Sequence, residues 1–390
     1  MKYLLIDGNN LGIRSAFAND QLTNEYGIPT GAHFGIFQSL INLKKKFHDY
    51  NFLIVWDGKS IRRKEESKKG VEEKIIPSAY KENRSKGDDM PQPLIDFYGQ
   101  LDYIKKAIDV VGIPQIMIDE YEADDVIASY AYWLKKDNEI IIVTSDKDYY
   151  QLIDDNVSLW DGMKSNLINK KSLSKNLPVD VPIEPIQMID VGALSGDDGD
   201  NIFGIPGWGD KTALKEISKY KSWEKMIEKY DEDYKEYRKK YPDLKDLISG
   251  KIKRNETEFN EFDDSIDWEK VFQSLATKTS DPKKENSRIK YPGISKDMPY
   301  TGVLLAFDLD FIKIKKSIIM ALVFQDRIKL AYSLKKMDVI EYLPEIPSET
   351  KKDKDKLLEY FNYYDINSLN EDIDVFFNMD RYLEEQKYLN

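Results

Sequence analysis

Apolar and polar positions follow two rhythms through the first half of the chain. Short runs rich in β-branched and aromatic residues, Lys2 to Ile6, Phe52 to Trp56, Ile113 to Ile118 and Ile140 to Thr144, read as strands. Between them, apolar residues recur at helical spacing: Ile36, Phe37, Leu40 and Ile41 within Ala32 to Phe47, and Leu94, Phe97, Leu101, Ile104 and Ile108 within Leu94 to Val111, where Gly112 ends the helix. Ala123 to Lys135 reads as a further helix, and the unbroken apolar run after Ile140 predicts a strand buried on both faces. Strands alternating with helices predict an α/β fold with a mostly parallel sheet and crossover helices.

The rhythm changes after the proline-containing stretch 178–185 and the glycine-rich stretch 192–209. The remainder of the chain is mainly helical in pattern, with signal from Phe311 to Tyr332 and from Asp353 to Tyr363. Residues from about 220 to 300 are dense in Lys, Glu, Asp and Tyr without a clean period and read as an insertion or peripheral subdomain. The expected division is therefore 1–185 and 186–390, and no internal repeat is visible.

Composition narrows the chemistry. There are no cysteines, which excludes disulfides, thiol nucleophiles and cysteine-ligated zinc. His33 and His48 are the whole histidine complement, so catalysis falls to carboxylates, lysines, arginines or hydroxyls. No apolar run approaches the roughly 18 residues of a membrane span, and the start turns polar too soon for a signal peptide; a cytoplasmic location, in a bacterium or a phage-infected host, and no membrane partner are expected. The net charge is −12, yet residues 59–86 carry ten Lys or Arg against five Glu. That unevenness keeps a nucleic-acid partner open.

The acids fall where the strands end. Asp7 closes the first strand and Asp57 the second, Glu122, Asp124 and Asp125 follow the third, and Asp146 and Asp148 follow the fourth. In an open parallel sheet the carboxyl ends form one rim where sites sit. Any single Asp there reads equally as a cap or turn residue; four strands sharing the feature do not. Carboxylates converging without basic partners require cations, and all-oxygen donors select Mg²⁺ or Mn²⁺. Two ions about 3.5–4 Å apart would clamp a phosphodiester for attack by water. Asp197, Asp198 and Asp200 lie just beyond, in the glycine-rich stretch.

The basic stretch after the second strand, with Arg62 and Arg63 at its start and Lys81 and Arg84 near its end, is too long and too charged for a plain connection. It suits a phosphate backbone, or else a solvated helix with i,i+4 ion pairs. GDDGDNIFGIPGWGDKTA sets Gly204, Gly207 and Gly209 around Pro206 and opens a helix with Lys211 and Thr212. Glycines let backbone approach phosphate, and a helix start offers amide donors. Asp210 interrupts what a Walker A loop requires, so an ATPase reading is weak.

Together LLIDGNNL, WDGKSIRR, AYKENR, EYEADD, VTSDKDYYQL and the glycine hairpin resemble the flap endonuclease and 5′ nuclease family, which includes phage 5′-3′ exonucleases, phage RNase H and the 5′ nuclease domain of DNA polymerase I. The likeness covers roughly residues 1–225. It implies a PIN-like nuclease core with a helical arch at 59–91, then a helix-hairpin-helix at 196–225 that often holds a monovalent cation such as K⁺. It implies Asp7, Asp57, Glu122, Asp124 and Asp146 at a first metal, Asp148, Asp197 and Asp200 at a second, and Asp125 beside them. It implies Lys81 and Arg84 on the scissile phosphate, and Tyr80, Arg62, Arg63, Gly204, Gly207, Gly209, Lys211 and Thr212 against DNA. Tyr80 reads equally as a base-stacking or a core tyrosine, and Trp208 stands where a small aliphatic is commoner.

The resemblance further implies 5′-3′ exonuclease and flap endonuclease action on flaps, nicks, ends and RNA/DNA hybrids in replication or repair, by a monomer that meets a clamp, polymerase or single-strand-binding protein. A non-catalytic junction-binding scaffold of the same fold is the alternative. A PIN-type ribonuclease would lack the hairpin, and an Asp-x-Asp phosphatase would need an acid where Asn9 stands.

Overall fold

The strand runs assemble into a six-stranded sheet in the computed structural model, which describes residues 1–85, 89–240, 321–322 and 324–389. Strands β1 (Lys2–Asp7), β2 (Asn51–Trp56), β3 (Gln115–Met117), β4 (Glu139–Val143), β5 (Val157–Asp161) and β6 (Asn166–Ile168) lie in the order β3-β2-β1-β4-β5-β6. Every pairing is parallel except β5 with β6. The described helices include α1 (Gly8–Ala18), α2 (Gly31–Lys46), α3 (Ile61–Glu72), α4 (Gln92–Val110), α5 (Ala123–Leu134), α6 (Met188–Ser195), α7 (Asp210–Tyr220), α8 (Trp223–Lys240), α9 (Gln325–Lys335) and α10 (Lys354–Tyr363).

The side-chain period of two along a strand divides the core. Leu4, Ile6, Phe52, Ile54, Trp56, Ile141 and Val143 face one cluster with α2 and α4, while Leu5, Leu53, Val55, Ile140 and Ile142 face another with α5. Both faces are covered, so the central strands are apolar throughout. The chain leaves β1 for β2 on one side and pairs it with β4 on the other. That reversal of strand order opens a crevice at the carboxyl ends.

Several elements depart from the expected ones. The third strand keeps only Gln115–Met117 of Ile113 to Ile118, and Ile113 is buried just after the turn at Gly112. Helix α1, hidden behind a Gly-Asn-Asn start that reads as loop, begins because Asp7 accepts from the Asn10 amide. The start of the basic stretch folds as α3, capped by Ser60 and carrying i,i+4 pairs Arg62–Glu66 and Lys69–Glu73. Of the expected Phe311 to Tyr332 helix, Ala321, Leu322 and Gln325 onward are helical, and residues 311–320 and 323 lie outside the described residues, as do 241–300 of the expected insertion and 86–88 of the expected arch.

Parts of the expected helical region 186–390 pack against the two sheet clusters. Residues 337–346 run along α5, where Ser129 donates to the Asp338 carbonyl and Trp133 to that of Ile340. Met337 and Ile340 complete the second core cluster, and Leu357 and Phe361 of α10 complete the first. A helix with a strong apolar face needs a partner, and the N-terminal sheet layer provides it. Among the described residues no helix is long and apolar enough to cross a membrane.

Candidate active site

Each central strand delivers an acid to the rim and local hydrogen bonds lock it there. The Asp57 amide donates to Asn9 Oδ1 at 2.9 Å, and Asp57 Oδ1 accepts from the Ala123 amide at 2.9 Å. The second bond ties the start of α5 to β2, which carries Glu122, Asp124 and Asp125 to the same edge. After β4, Asp146 caps the 3-10 turn Lys147–Leu152 by accepting from the Asp148 amide at 2.8 Å. From that turn the buried Tyr149 hydroxyl donates to Asp7 Oδ2 at 3.0 Å. Ser145 donates to Asn10 Oδ1 at 3.1 Å, joining the ends of β1 and β4.

Asp197 and Asp200 arrive from the hairpin between α6 and α7. Carboxylate oxygens of Asp148, Asp197 and Asp200 lie within 4.8 Å of one another, the one group among the described residues close enough to share an ion as it stands. Donors that are all oxygen fit a hard divalent cation.

Burial raises these carboxyls. Asp7 is pushed up to about 8, by burial first and then by the Asp57 and Asp146 charges, and Asp146 to about 7, by burial and then Asp148. Asp57 and Asp148 are raised by burial as well. At Asp200 burial pushes upward too, but the Lys81, Arg84 and Lys335 cations outweigh it and hold the carboxyl below its usual range. Carboxyls that burial keeps from ionising are ones a bound divalent cation would favour in their charged form.

The expectation that the acids converge without basic partners is corrected, because Arg63, Lys81, Arg84 and Lys335 stand among them. Arg63, 1% exposed, reaches Glu122 at 2.8 Å, Asp124 at 3.1 Å and Asp125 at 2.8 Å. Lys81 Nζ lies 2.7 Å from Glu122 Oε1, and Arg84 Nη2 lies 2.6 Å from Asp200 Oδ1. Lys335, 5% exposed, lies 2.8 Å from Asp148 and 2.6 Å from Asp197.

Several expected DNA contacts are corrected with them. Arg63 is sealed in the interior, on the face of α3 that meets α5 and α9. Arg62 is spent on Asp338 at 2.6 Å and on the Ser333 and Lys336 carbonyls. Tyr80 is buried in the third core cluster, and its hydroxyl donates to Glu122 and Asp200 at 2.9 and 3.2 Å. Asp125 is closed off from solvent, its Oδ1 taken by Arg63 and the Asp338 amide, and it braces the site rather than opening onto it.

In the hairpin, Asp197 and Ile202 form an antiparallel bridge. A Cβ on Gly204 would collide with the Gly196 amide nitrogen, so this glycine serves close chain packing and not phosphate approach. Gly207, at φ +81°, and Gly209 have open space where a side chain would be, and Lys211 is exposed at the start of α7, with Thr212 beside it. Trp208 is buried with Ile205, Leu214 and Ile217, which settles its place as core.

Sequence reasoning missed Lys335 and Tyr149 and misjudged Arg63. Asn9 and Asn10 were within reach, since they stand in the LLIDGNNL run beside Asp7. Lys335 carried no local signal, lying 138 residues beyond Asp197.

An acid rim at the strand ends, joined to a glycine hairpin, is the architecture of a nucleic-acid-processing nuclease. Residues 2–177 match the family model described as 5′-3′ exonuclease, N-terminal resolvase-like domain, and residues 183–281 match 5′-3′ exonuclease, C-terminal SAM fold. The chain is 33% identical over 242 residues to a 5′-3′ exonuclease of Aquifex aeolicus, covering 62% of this chain and 77% of that protein. It is 32% identical over 228 residues to a 5′-3′ exonuclease of Mycoplasmopsis pulmonis, 58% of this chain and 69% of that one. The chain belongs to the 5′-3′ exonuclease family, whose members hydrolyse phosphodiesters.

Against the thermostable DNA polymerase I of Thermus aquaticus it is 33% identical over 231 residues, 59% of this chain but only 25% of the polymerase. Among solved structures, T5 5′-exonuclease with bound zinc aligns at TM-score 0.47 and 22% identity, over 59% of this chain and 79% of that one. The catalytic core of Rad2 with a DNA substrate aligns at TM-score 0.45 and 15% identity, over 96% and 92%. The segment from about 220 to 300, read as having no likeness, falls within the second family match as far as residue 281.

Proposed function

We propose that this chain is a Mg²⁺-dependent, structure-specific 5′ nuclease that removes flaps, free or nicked duplex ends and RNA primers during replication or repair. The observation that carries the reading is the meeting of acids from four strand ends with two acids of the hairpin, within reach of two cations from a basic segment. Asp7, Asp57, Glu122, Asp124 and Asp146 would hold one ion and Asp148, Asp197 and Asp200 a second, with Mn²⁺ able to replace Mg²⁺. Ions held there supply charge for the phosphate and acidify water.

The chain's own groups supply the rest. Lys81 and Arg84 exchange their carboxylate partners for the scissile phosphate and stabilise the charge that builds on it. Water oxygen bonds to phosphorus, the P–O3′ bond breaks, and the products carry a 5′-phosphate and a 3′-hydroxyl. Gly207, Gly209, Lys211 and Thr212 offer an open, amide-bearing helix start to the duplex backbone, and a K⁺ ion there would add to the grip. Such binding reads shape and ignores sequence, which suits an acidic protein whose positive charge is local. Action as a cytoplasmic monomer beside a clamp, polymerase or single-strand-binding protein belongs to the same reading.

Asp146→Asn is the direct test. It should abolish cleavage of a flap duplex while leaving binding of that duplex largely intact. Retained cleavage takes Asp146 out of the metal site.

A further inference from the structure

The Asp148, Asp197 and Asp200 group that is shaped for a cation already contains one. Lys335 Nζ lies 2.9 and 2.8 Å from the two oxygens of Asp148 and 2.6 Å from Asp197 Oδ2. Its place is built from three sides. The Lys335 carbonyl accepts from Gln151 Nε2 at 3.0 Å, and Gln151 Oε1 accepts from the Met337 amide at 3.1 Å. Gln151 belongs to the same 3-10 turn as Asp148, so one turn holds both the backbone of Lys335 and its charge. On the third side lies Gly192, where a Cβ would stand 3.3–3.4 Å from three carbons of the Lys335 stem. Absence of a side chain at 192 gives the lysine its channel.

An ammonium and a divalent ion cannot share the same carboxylate oxygens, since like charges repel and every oxygen given to one is lost to the other. We propose that Lys335 is a built-in occupant of the second cation position, so that a divalent ion binds Asp148 and Asp197 only as the Lys335 ammonium withdraws. The four-carbon stem allows that withdrawal while the backbone stays on Gln151. Lys335 is a positioning residue: it keeps Asp148 and Asp197 together when no ion is present and lowers the affinity of the second ion relative to the first. The inference rests on the proposed two-metal function and adds to it an order of filling.

Mn²⁺ titration of the full chain, followed by calorimetry and by paramagnetic resonance of the free ion, reads this without any cleavage assay. The wild type should take up one ion tightly and a second weakly. Lys335→Met, which keeps the stem but removes the charge, should tighten the second ion about tenfold, within the ordinary range for two mutually exclusive ligands, and leave the first unchanged. Lys335→Gln serves if the methionine variant folds poorly, with the same gain expected. A second-ion affinity that is unchanged or weaker in both variants overturns the proposal, and a weaker one makes Lys335 an orienter of the acids. Absence of ion binding in wild type and variants alike removes the metal reading and this inference with it.

Discussion

Replacing Arg63 by methionine separates the buried-brace account from a DNA-contact role. The guanidinium lies 2.8–3.1 Å from Glu122, Asp124 and Asp125, and its Nε donates to the Leu334 carbonyl at 3.1 Å. Glu122 and Asp125 are themselves buried, while Asp124 is partly exposed and screened by water. Removing one partner of a buried ion pair leaves uncompensated charge and costs about 3–5 kcal/mol. Urea denaturation in chelator at pH 8 should show a loss of that size for Arg63→Met. Asp125 is pushed up to about 8 by burial and by the Asp124 charge against the lowering pull of Arg63; without the guanidinium it rises further, the native state binds more protons than the unfolded one, and stability therefore falls as pH rises. The deficit should widen as pH rises past about 8, the wild-type folded value of Asp125. A loss under about 1 kcal/mol, the worth of a surface pair, or a deficit indifferent to pH, would return Arg63 to the surface and refute the brace.

Three further outcomes are expected from the same geometry. Lys81→Ala should lower kcat on a flap substrate by about 10²–10³, the usual cost of a lost transition-state donor, with little change in the Kd for DNA; an equal loss in both makes Lys81 a backbone contact only. In chelator, stability of the wild type should fall between about pH 4 and pH 8, because Asp7 and Asp146 sit at about 8 and 7 in the fold, so their contribution is whole below the unfolded value of about 4 and lost as pH rises through the folded ones. Mg²⁺ should flatten or reverse that slope, since it binds the deprotonated acids, and a stability that climbs with pH in chelator contradicts the burial argument. Phe361→Ala, which empties a fully buried position packed edge-on against Phe37 with ring centroids 5.1 Å apart, should cost about 3–5 kcal/mol in denaturation. A near-neutral result would detach α10 from the N-terminal core.

The central strands were legible because burial on both faces leaves an unbroken apolar run, as at Ile140 to Val143, and the acids were legible because each lies at the end of a strand or within a few residues beyond it. Asp7, Asp57, Glu122, Asp124, Asp146 and Asp148 could thus be placed on one edge from the order of residues alone. Short edge strands such as β6 carry too few residues for a period, and α1 starts on Gly-Asn-Asn, which local propensity assigns to a turn. The cations were misread for a different reason. Arg62 and Arg63 sit in a stretch whose average charge predicts exposure, yet the face of α3 that carries them meets α5 and the turn after α9, a contact set by the tertiary fold. Lys335 was invisible because its partners are distant in the chain, and no local pattern marks a lysine whose counter-charges come from Asp148 and Asp197.

The most direct test of the central claim is cleavage of a 5′-labelled flap duplex by the full chain, with blunt duplex and RNA-primed duplex alongside, in Mg²⁺ and in chelator. The account predicts cutting close to the junction in Mg²⁺, products with 5′-phosphate ends, and none in chelator. Junction binding without cutting in any divalent metal would contradict it and make the chain a scaffold of the nuclease fold.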